Sequence, residues 1–265
     1  MFFYYLDYAI IYLIGSDYML ITSVDNKKIK KYVSLKTSKG RHNEEMFLVE
    51  GMHMCYEANK NNLLVDLLVL ENTSITFDYS GEITYVTSNV LKKISSLSNP
   101  TTVIGVCKTF NSNEINGNHI LVLDDVQDPG NIGTIIRSSK AFNVDTIILS
   151  TNCVDIYNDK VLRSTQGMIF NMNIVYGDLL EIIPNLHDNG YLILGTNVND
   201  GVDVRDIKFH KYALIMGNEG NGVKQEIQNM CDKNLYIKMN PNCESLNVAV
   251  ATSILLYELN RGNYE

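Results

Sequence analysis

Residues 235–261, LYIKMNPNCESLNVAVATSILLYELNR, constrain the architecture of this chain more than any other stretch. An apolar run that reads as a short strand leads into a polar loop and then a long helix. Val248, Ala251, Leu255 and Leu259, with Ile254 alongside, recur at spacings of three and four, which is the stripe of a helix that buries one face. Glu244, Ser245, Leu246 and Asn247 are expected to open that helix, where backbone N–H groups have no partner within the helix. A strand and helix of this kind need a sheet to join. A loop rich in Asn, Glu and Ser in front of so apolar a helix reads as a site held on a rigid element, more than as a solvated cap.

The rest of the chain alternates in the same way. Residues 23–42 read as a basic helix and loop, 46–51 as a buried strand, 52–61 as helix, and 65–70, 83–86 and 103–107 as strands, with an amphipathic helix over 88–97. These make a compact α/β sandwich of about a hundred residues. Residues 110–118, FNSNEINGN, are polar and aperiodic and read as a linker. Beyond it, strands are expected at 120–123, 146–149, 174–176, 191–194, 212–216 and 235–239, with helices over 159–170, 178–188 and 224–231 and one carrying Ile132, Ile135 and Ile136. Strands that alternate with helices imply a mainly parallel sheet. The expected division is therefore 1–18 as an extension, 19–112 as one domain and 118–265 as the other.

The extension MFFYYLDYAIIYLIGSDY is apolar and aromatic, but its run is shorter than the ~20 residues of a membrane span and Asp7 interrupts it. It has no basic start and no small-residue cleavage site, which argues against a signal peptide. It reads as an upstream start or an accessory strand. Five scattered cysteines without CxxC spacing fit neither a disulfide framework nor a zinc site, so a reducing, cytoplasmic setting is expected and no metal. Cys243 lies in the loop ahead of the last helix, with no histidine near it in sequence to activate it as a nucleophile.

A net charge of −8 argues weakly against a polyanionic partner. Yet Lys27, Lys28, Lys30, Lys31, Lys36, Lys39 and Arg41 crowd a segment whose sole acid before Glu44 is Asp25. That run is either a solvated helix face or a surface for nucleic-acid phosphates.

In a parallel α/β sheet, ligands gather beyond the carboxyl ends of the strands. The loops at 125–133, 217–222 and 240–247 each follow an apolar strand and each mix Gly or Pro with Asn, Asp or Glu. Gly217, Gly220 and Gly222 do not fit GxGxxG, and no GxxxxGK[ST] occurs, so neither a dinucleotide fingerprint nor a P-loop is present. Glycines there let backbone approach a small molecule closely. Ile237, Met239 and Leu246 would suit a purine face or a thioether.

DDVQDPGNIGTIIRSSKAFNVDTIIL, ALIMGNEGNGV and IKMNPNCESLNVAVATSILLYEL together resemble the three signature blocks of the SpoU/TrmH-type RNA ribose 2′-O-methyltransferases of the SPOUT class, in order, over residues 119–261. Residues 19–110 resemble the substrate-binding domain that precedes many members. The resemblance implies S-adenosylmethionine as methyl donor, a trefoil-knotted C-terminal fold, an obligate homodimer with composite sites, and an RNA substrate, rRNA more than tRNA. It implies a cofactor pocket made by Thr196, Gly217, Ile237, Met239 and Leu246. It places Arg137, Asn131, Glu219, Ser245 and Asn247 at the reacting centre, and Lys27, Lys28, Lys30, Lys31, Lys36, Lys39 and Arg41 on RNA phosphates.

The implied reaction is in-line attack of a ribose 2′-hydroxyl on a sulfonium methyl, an already activated donor that calls for no metal. Arg137 is the family's base, although a guanidinium is protonated at any working pH and suits a clamp on a phosphate or a developing alkoxide better. Asn131 would orient Arg137 or the ribose, or merely cap a helix. Glu219 would hold substrate or Arg137, and Ser245 and Asn247 the ribose. Two other readings compete: a non-catalytic RNA-binding or ribosome-assembly factor that keeps the fold, and a base-directed methyltransferase of the same class.

Overall fold

The computed structural model describes residues 19–110, 112–198, 201–207 and 209–261, so the extension at 1–18 lies outside the described residues. Two sheets organise them. The first comprises β1 (Met19–Ile21), β2 (Met46–Glu50), β3 (Leu64–Leu70), β4 (Glu82–Val86) and β5 (Val103–Lys108), in the order β1-β4-β3-β5-β2. Strands β1, β4 and β3 run parallel, and β5 is antiparallel to both β3 and β2. Helices α1 (Lys27–Ser34), α2 (Ser38–Glu44), α3 (Met52–Lys60) and α4 (Ser88–Ile94) belong to this half. The basic segment is thus two helices, not one. Thr37 starts the second as its N-cap, accepting from the Gly40 amide.

The second sheet is wholly parallel. It comprises β6 (His119–Leu123), β7 (Thr146–Ser150), β8 (Asn173–Gly177), β9 (Leu192–Thr196), β10 (Tyr212–Met216) and β11 (Lys233–Leu235), ordered β11-β9-β10-β6-β7-β8. Helices α5 (Pro129–Ala141), α6 (Asp159–Thr165), α7 (Leu179–Asp188), α8 (Gln225–Gln228) and α9 (Val248–Asn260) accompany it. The expected helix at 159–170 is interrupted by Gln166 and Gly167 at positive φ before a 3₁₀ turn, Met168–Asn171. The expected strand at 235–239 ends at Leu235, where pairing with β9 stops.

Alternation along each central strand explains why both faces are apolar. Leu121, Leu123, Ile147, Leu149 and Leu214 share a cluster with Ile132, Ile135 and Ile136 of α5 and Leu255, Leu256 and Leu259 of α9. Ile120, Val122, Ile148 and Ile215 share another with Leu179, Ile183 and Leu186 of α7. The first cluster runs on without a break into the smaller half through Phe47, whose ring lies 4.6 Å from Tyr157 and 6.4 Å from Phe170. Arg41 adds an ion pair across the same seam, with Nη2 2.6 Å from Asp155 Oδ2. Among the described residues, no helix is long and apolar enough to cross a membrane.

A candidate active site at the carboxyl edge of the parallel sheet

The strand ends of β6, β9 and β10 lead into loops that meet the segment ahead of α9. A cavity of about 570 Å³ opens between that segment and the loops after β9 and β10, and Thr196, Gly217, Ile237, Met239, Leu246, Ser245, Asn247 and Glu219 all line it. Asn131 and Arg137 do not.

Each loop has a local reason for its shape. At Gly217 a Cβ would lie 2.1 Å from backbone atoms of Gly222 and Val223, so a side chain there would break the loop. Asn218 and Gly222 exchange both backbone hydrogen bonds, at 3.0 and 2.9 Å, while the Asn218 side chain receives the amides of Gly220 and Asn221. The turn is therefore closed around one asparagine. After β6, the cap of α5 is Asp128, whose Oδ1 accepts from the Asn131 amide, with Pro129 next. Asn131 is thus not the cap. It sits inside the first turn with its side-chain amide free for other work. Asn247 is the N-cap of α9, and its Oδ1 accepts from Ala249 and Val250. Glu244, Ser245 and Leu246 consequently precede that helix.

A single polar relay ties the loops together. Asn247 Nδ2 donates to Asn131 Oδ1 at 2.9 Å, and Asn131 Nδ2 donates to Glu219 Oε1 at 3.0 Å. Glu219 also accepts the backbone amides of Asp128, at 3.2 Å, and Gln127, at 3.5 Å. Burial pushes the Glu219 carboxyl upward. The hydrogen bonds from Asn131 and from the backbone outweigh it, so the group is held below the ordinary glutamate value and stays ionised. Arg137 takes no part. It is exposed on α5 and makes no hydrogen bond or ion pair among the described residues, so neither Asn131 nor Glu219 orients it within this chain.

Behind the relay stands a cluster whose pairing the sequence does not announce. Asp124 is buried and receives the Lys224 amide at 2.8 Å, and Lys224 Nζ lies 3.2 Å from Asp124 and 2.7 Å from Asp125. Asp125 has φ 55, its carboxylate accepts from Ser150, and its carbonyl accepts Asn218 Nδ2 at 2.8 Å. The cluster thereby locks the loop after β10 onto the loop after β6. An Asp-Asp pair after a buried strand could have signalled this, but nothing in the local sequence marks Lys224 as its partner. Hydrogen bonding to Asp125 raises the Lys224 ammonium above its usual value. For Asp125, burial acts upward, and the contacts from Lys224, Ser150 and Asn152 outweigh it and leave the carboxyl lowered.

Lys224→Met should cost about 1–3 kcal/mol, because charged acceptors lose a partner. A depressed carboxylate stabilises above its unfolded pKa and loses that contribution as pH falls through the folded value. A raised ammonium stabilises below its unfolded pKa and loses it as pH rises through the folded value. The stability gap between wild type and Lys224→Met, from urea melts, should therefore be flat around neutrality. It should shrink in acid and again in alkali above about pH 10. A gap that does not move with pH would mean packing, not charge, sets the effect.

The lysine-rich segment is largely committed internally. Lys28 Nζ lies 2.8 Å from buried Asp66 and 2.6 Å from Glu82. Lys30 pairs with Asp25, Lys31 with Glu44, and Lys36 donates to the carbonyls of Ser95 and Lys93. Arg41 is buried, holding Asp155 and donating Nη1 to the Leu35 carbonyl at 3.0 Å. Of the segment, Lys27 and Lys39 make no such contact among the described residues.

A parallel sheet whose strand-end loops wall a cavity with Gly-rich backbone, apolar side chains, Glu219 and Asn247 is the layout of an α/β protein that binds a small molecule. The profile of the SpoU rRNA Methylase family matches residues 118–257, and that of an MRM3-like substrate binding domain matches 26–105. The chain belongs to the SpoU rRNA methylase family. It is 35% identical over 243 residues to the 23S rRNA (guanosine(2553)-2′-O)-methyltransferase RlmP of Bacillus subtilis, covering 90% of this chain and 98% of that one. An AdoMet-bound rRNA methyltransferase from Sinorhizobium meliloti superposes with a TM-score of 0.82 at 27% identity, over 92% of this chain and 97% of the other. A putative RNA methyltransferase of the TrmH family from Porphyromonas gingivalis gives 0.83 at 25% identity, over 91% and 99%.

Proposed function

We propose that this protein is an S-adenosylmethionine-dependent methyltransferase that modifies a ribose 2′-hydroxyl in structured RNA, rRNA rather than tRNA. The observation that carries the reading is the relay Asn247–Asn131–Glu219, whose two ends line a cavity together with Thr196, Gly217, Ile237, Met239 and Leu246. The cavity fits the cofactor chemically. Backbone of the 217–222 turn approaches closely because Gly217 has no side chain, and Ile237, Met239 and Leu246 offer apolar walls. When bound, the cofactor supplies a methyl group already activated on a sulfonium.

The chain's own contribution is positioning, which can lower a barrier by up to roughly 7–11 kcal/mol. Asn131 and Asn247 hold the loops that frame the ribose. Glu219, ionised and fixed by backbone amides, gives a carboxylate acceptor for a substrate hydroxyl or amino group. Ser245 adds a hydroxyl on the cavity wall. Arg137 serves as the clamp on a phosphate or on the alkoxide that develops at the attacking hydroxyl.

A homodimer with composite sites belongs to the same reading. Val250, Ile254 and Tyr257 are exposed at 48, 38 and 51% and form one stripe on α9. Beside it run Thr134, Arg137 and Ala141 of α5, which is joined to α9 through Ser138 and Ser253. A second copy seated there would bring its cavity to Arg137. The trefoil knot belongs to the same reading; residues 236–247 run from edge strand β11 back to the loops that line the cavity. Residues 19–112 are assigned to substrate binding and 118–265 to methyl transfer. Five free thiols accord with a cytoplasmic setting.

Incubating the purified protein with labelled S-adenosylmethionine and ribosomal RNA, then digesting to nucleosides for mass analysis, should yield a 2′-O-methylated nucleoside. Label on a base would make it a base-directed enzyme of the same class, and no label would leave an RNA-binding factor.

A further inference from the structure

We propose that the outer face of α3, continued by the end of α6, is the docking surface for a single-stranded segment of the substrate RNA, with Tyr56 as its base-stacking platform. The proposal rests on the RNA methyltransferase reading and adds where the substrate lies. His53, Tyr56 and Lys60 are exposed and recur at spacings of three and four, so they form one stripe. Tyr56 is 44% exposed, and the Phe77 ring stands edge-on to it at 6.0 Å, which steadies the ring while leaving it accessible. The other aromatic among the large exposed apolar side chains described is Tyr257, on the α9 stripe.

The stripe is continuous with the reacting end. His53 Nε2 lies 3.2 Å from the Gln166 carbonyl. At Gly167, φ is +85° and a Cβ would come within 2.9 Å of Glu57 Cγ, so α3 abuts the turn that closes α6. Helix α6 in turn packs on α5 at Gly133, where a Cβ would meet Ser164 Cβ at 2.3 Å. Lys160, at the start of α6, makes a loose ion pair with Asp128 at 3.7 Å and lies beside Gly130. A path therefore leads from Tyr56 and Lys60 across α6 to Lys160, Arg137 and the Asn131 relay. Lys60 and Arg137 have no internal counter-ion among the described residues, unlike most cations of the lysine-rich segment. An aromatic ring with Lys60 beside it and further cations along the path suits a strand of bases and phosphates, since every base has a face to stack and every phosphate a charge to meet.

Binding of a mixed-sequence single-stranded RNA of about 12 nucleotides tests this against salt concentration. Tyr56→Ala should raise the RNA Kd by roughly 5- to 150-fold, the loss of one base stack, while Tyr56→Phe stays close to wild type. Lys60→Gln should reduce the slope of log K against log salt by about 0.7, whereas Lys27→Gln should leave it unchanged. Affinity for S-adenosylmethionine and the melting temperature should hold in all of them. An unchanged Kd in Tyr56→Ala, a loss of cofactor affinity with it, or a salt slope that follows Lys27 instead of Lys60 would overturn the proposal. A wild-type protein that methylates ribosomal RNA while these variants behave alike overturns this surface alone. A wild type that neither binds nor methylates RNA overturns the functional reading beneath it.

Discussion

Arg137→Ala should lower kcat by about 10²–10³, the cost of removing one group aimed at developing charge, with S-adenosylmethionine affinity unchanged by calorimetry. The expectation follows from what Arg137 lacks. Its side chain is exposed, makes no hydrogen bond or ion pair among the described residues, and does not line the cavity of its own chain. A guanidinium without internal duty has no structural role to lose, so the variant should fold and melt normally. Side chains on a helix lean toward its N-terminus, and on α5 that is the Asn131 end, about 9 Å away along the axis. If the site is composite, mixing Arg137→Ala with a cavity-filling Leu246→Trp chain should restore about a quarter of wild-type activity, the statistical share of intact sites in a two-fold dimer. No recovery on mixing would place Arg137 and the cavity it serves in one chain. Loss of cofactor affinity together with rate would remove Arg137 from the chemistry.

What the sequence reveals and what it hides divide along a physical line. Buried strands announce themselves, because β6, β7 and β10 are covered on both faces and must be continuously apolar. The helix that closes the chain is legible from Leu255 and Leu259 because their burial sets the stripe. Edge elements are not. Lys233 and Asn234 belong to β11 although they are polar, since an edge strand is decided by its pairing with β9 and not by burial. The relay residues Asn131, Glu219 and Asn247 stand out as polar side chains beside glycines, but their bonds span 88 and 116 residues, and no local pattern encodes such partners. The same holds for charge. A run of lysines shows how many cations there are, not which of them meet Glu82 or Asp66 in three dimensions. Lys224 is the converse case, a lone lysine whose value lies in two aspartates about a hundred positions earlier.

Arg41 separates those two kinds of information most sharply, and its replacement should produce a large loss of stability. Read by position it is the last cation of an RNA-facing run. In the structure its side chain is 9% exposed, with Nε at 3.0 Å and Nη2 at 2.6 Å from Asp155 Oδ2 and Nη1 on the Leu35 carbonyl. Removing it leaves a partly buried carboxylate and a buried carbonyl without their donor. Breaking one side of such a pair costs several kcal/mol. Asp155 keeps some access to water, so Arg41→Met should lose about 3 kcal/mol, the low end of that range. For a chain of this size the corresponding fall in Tm is about 6–12 °C. Arg41→Lys should recover little, because an ammonium cannot reach a carboxylate and a carbonyl with the spread of a guanidinium fork. The pair also crosses the seam between the two sheets, beside Phe47 and Tyr157. Its loss should therefore raise KM for RNA, whose docking surface on α3 would no longer be held against α6, while cofactor affinity should stay unchanged, because the residues lining the cavity all lie within 196–255. A melt unmoved by Arg41→Met, joined to a shallower salt dependence of RNA binding, would return Arg41 to the phosphate-contacting set and leave the seam to the aromatic rings alone.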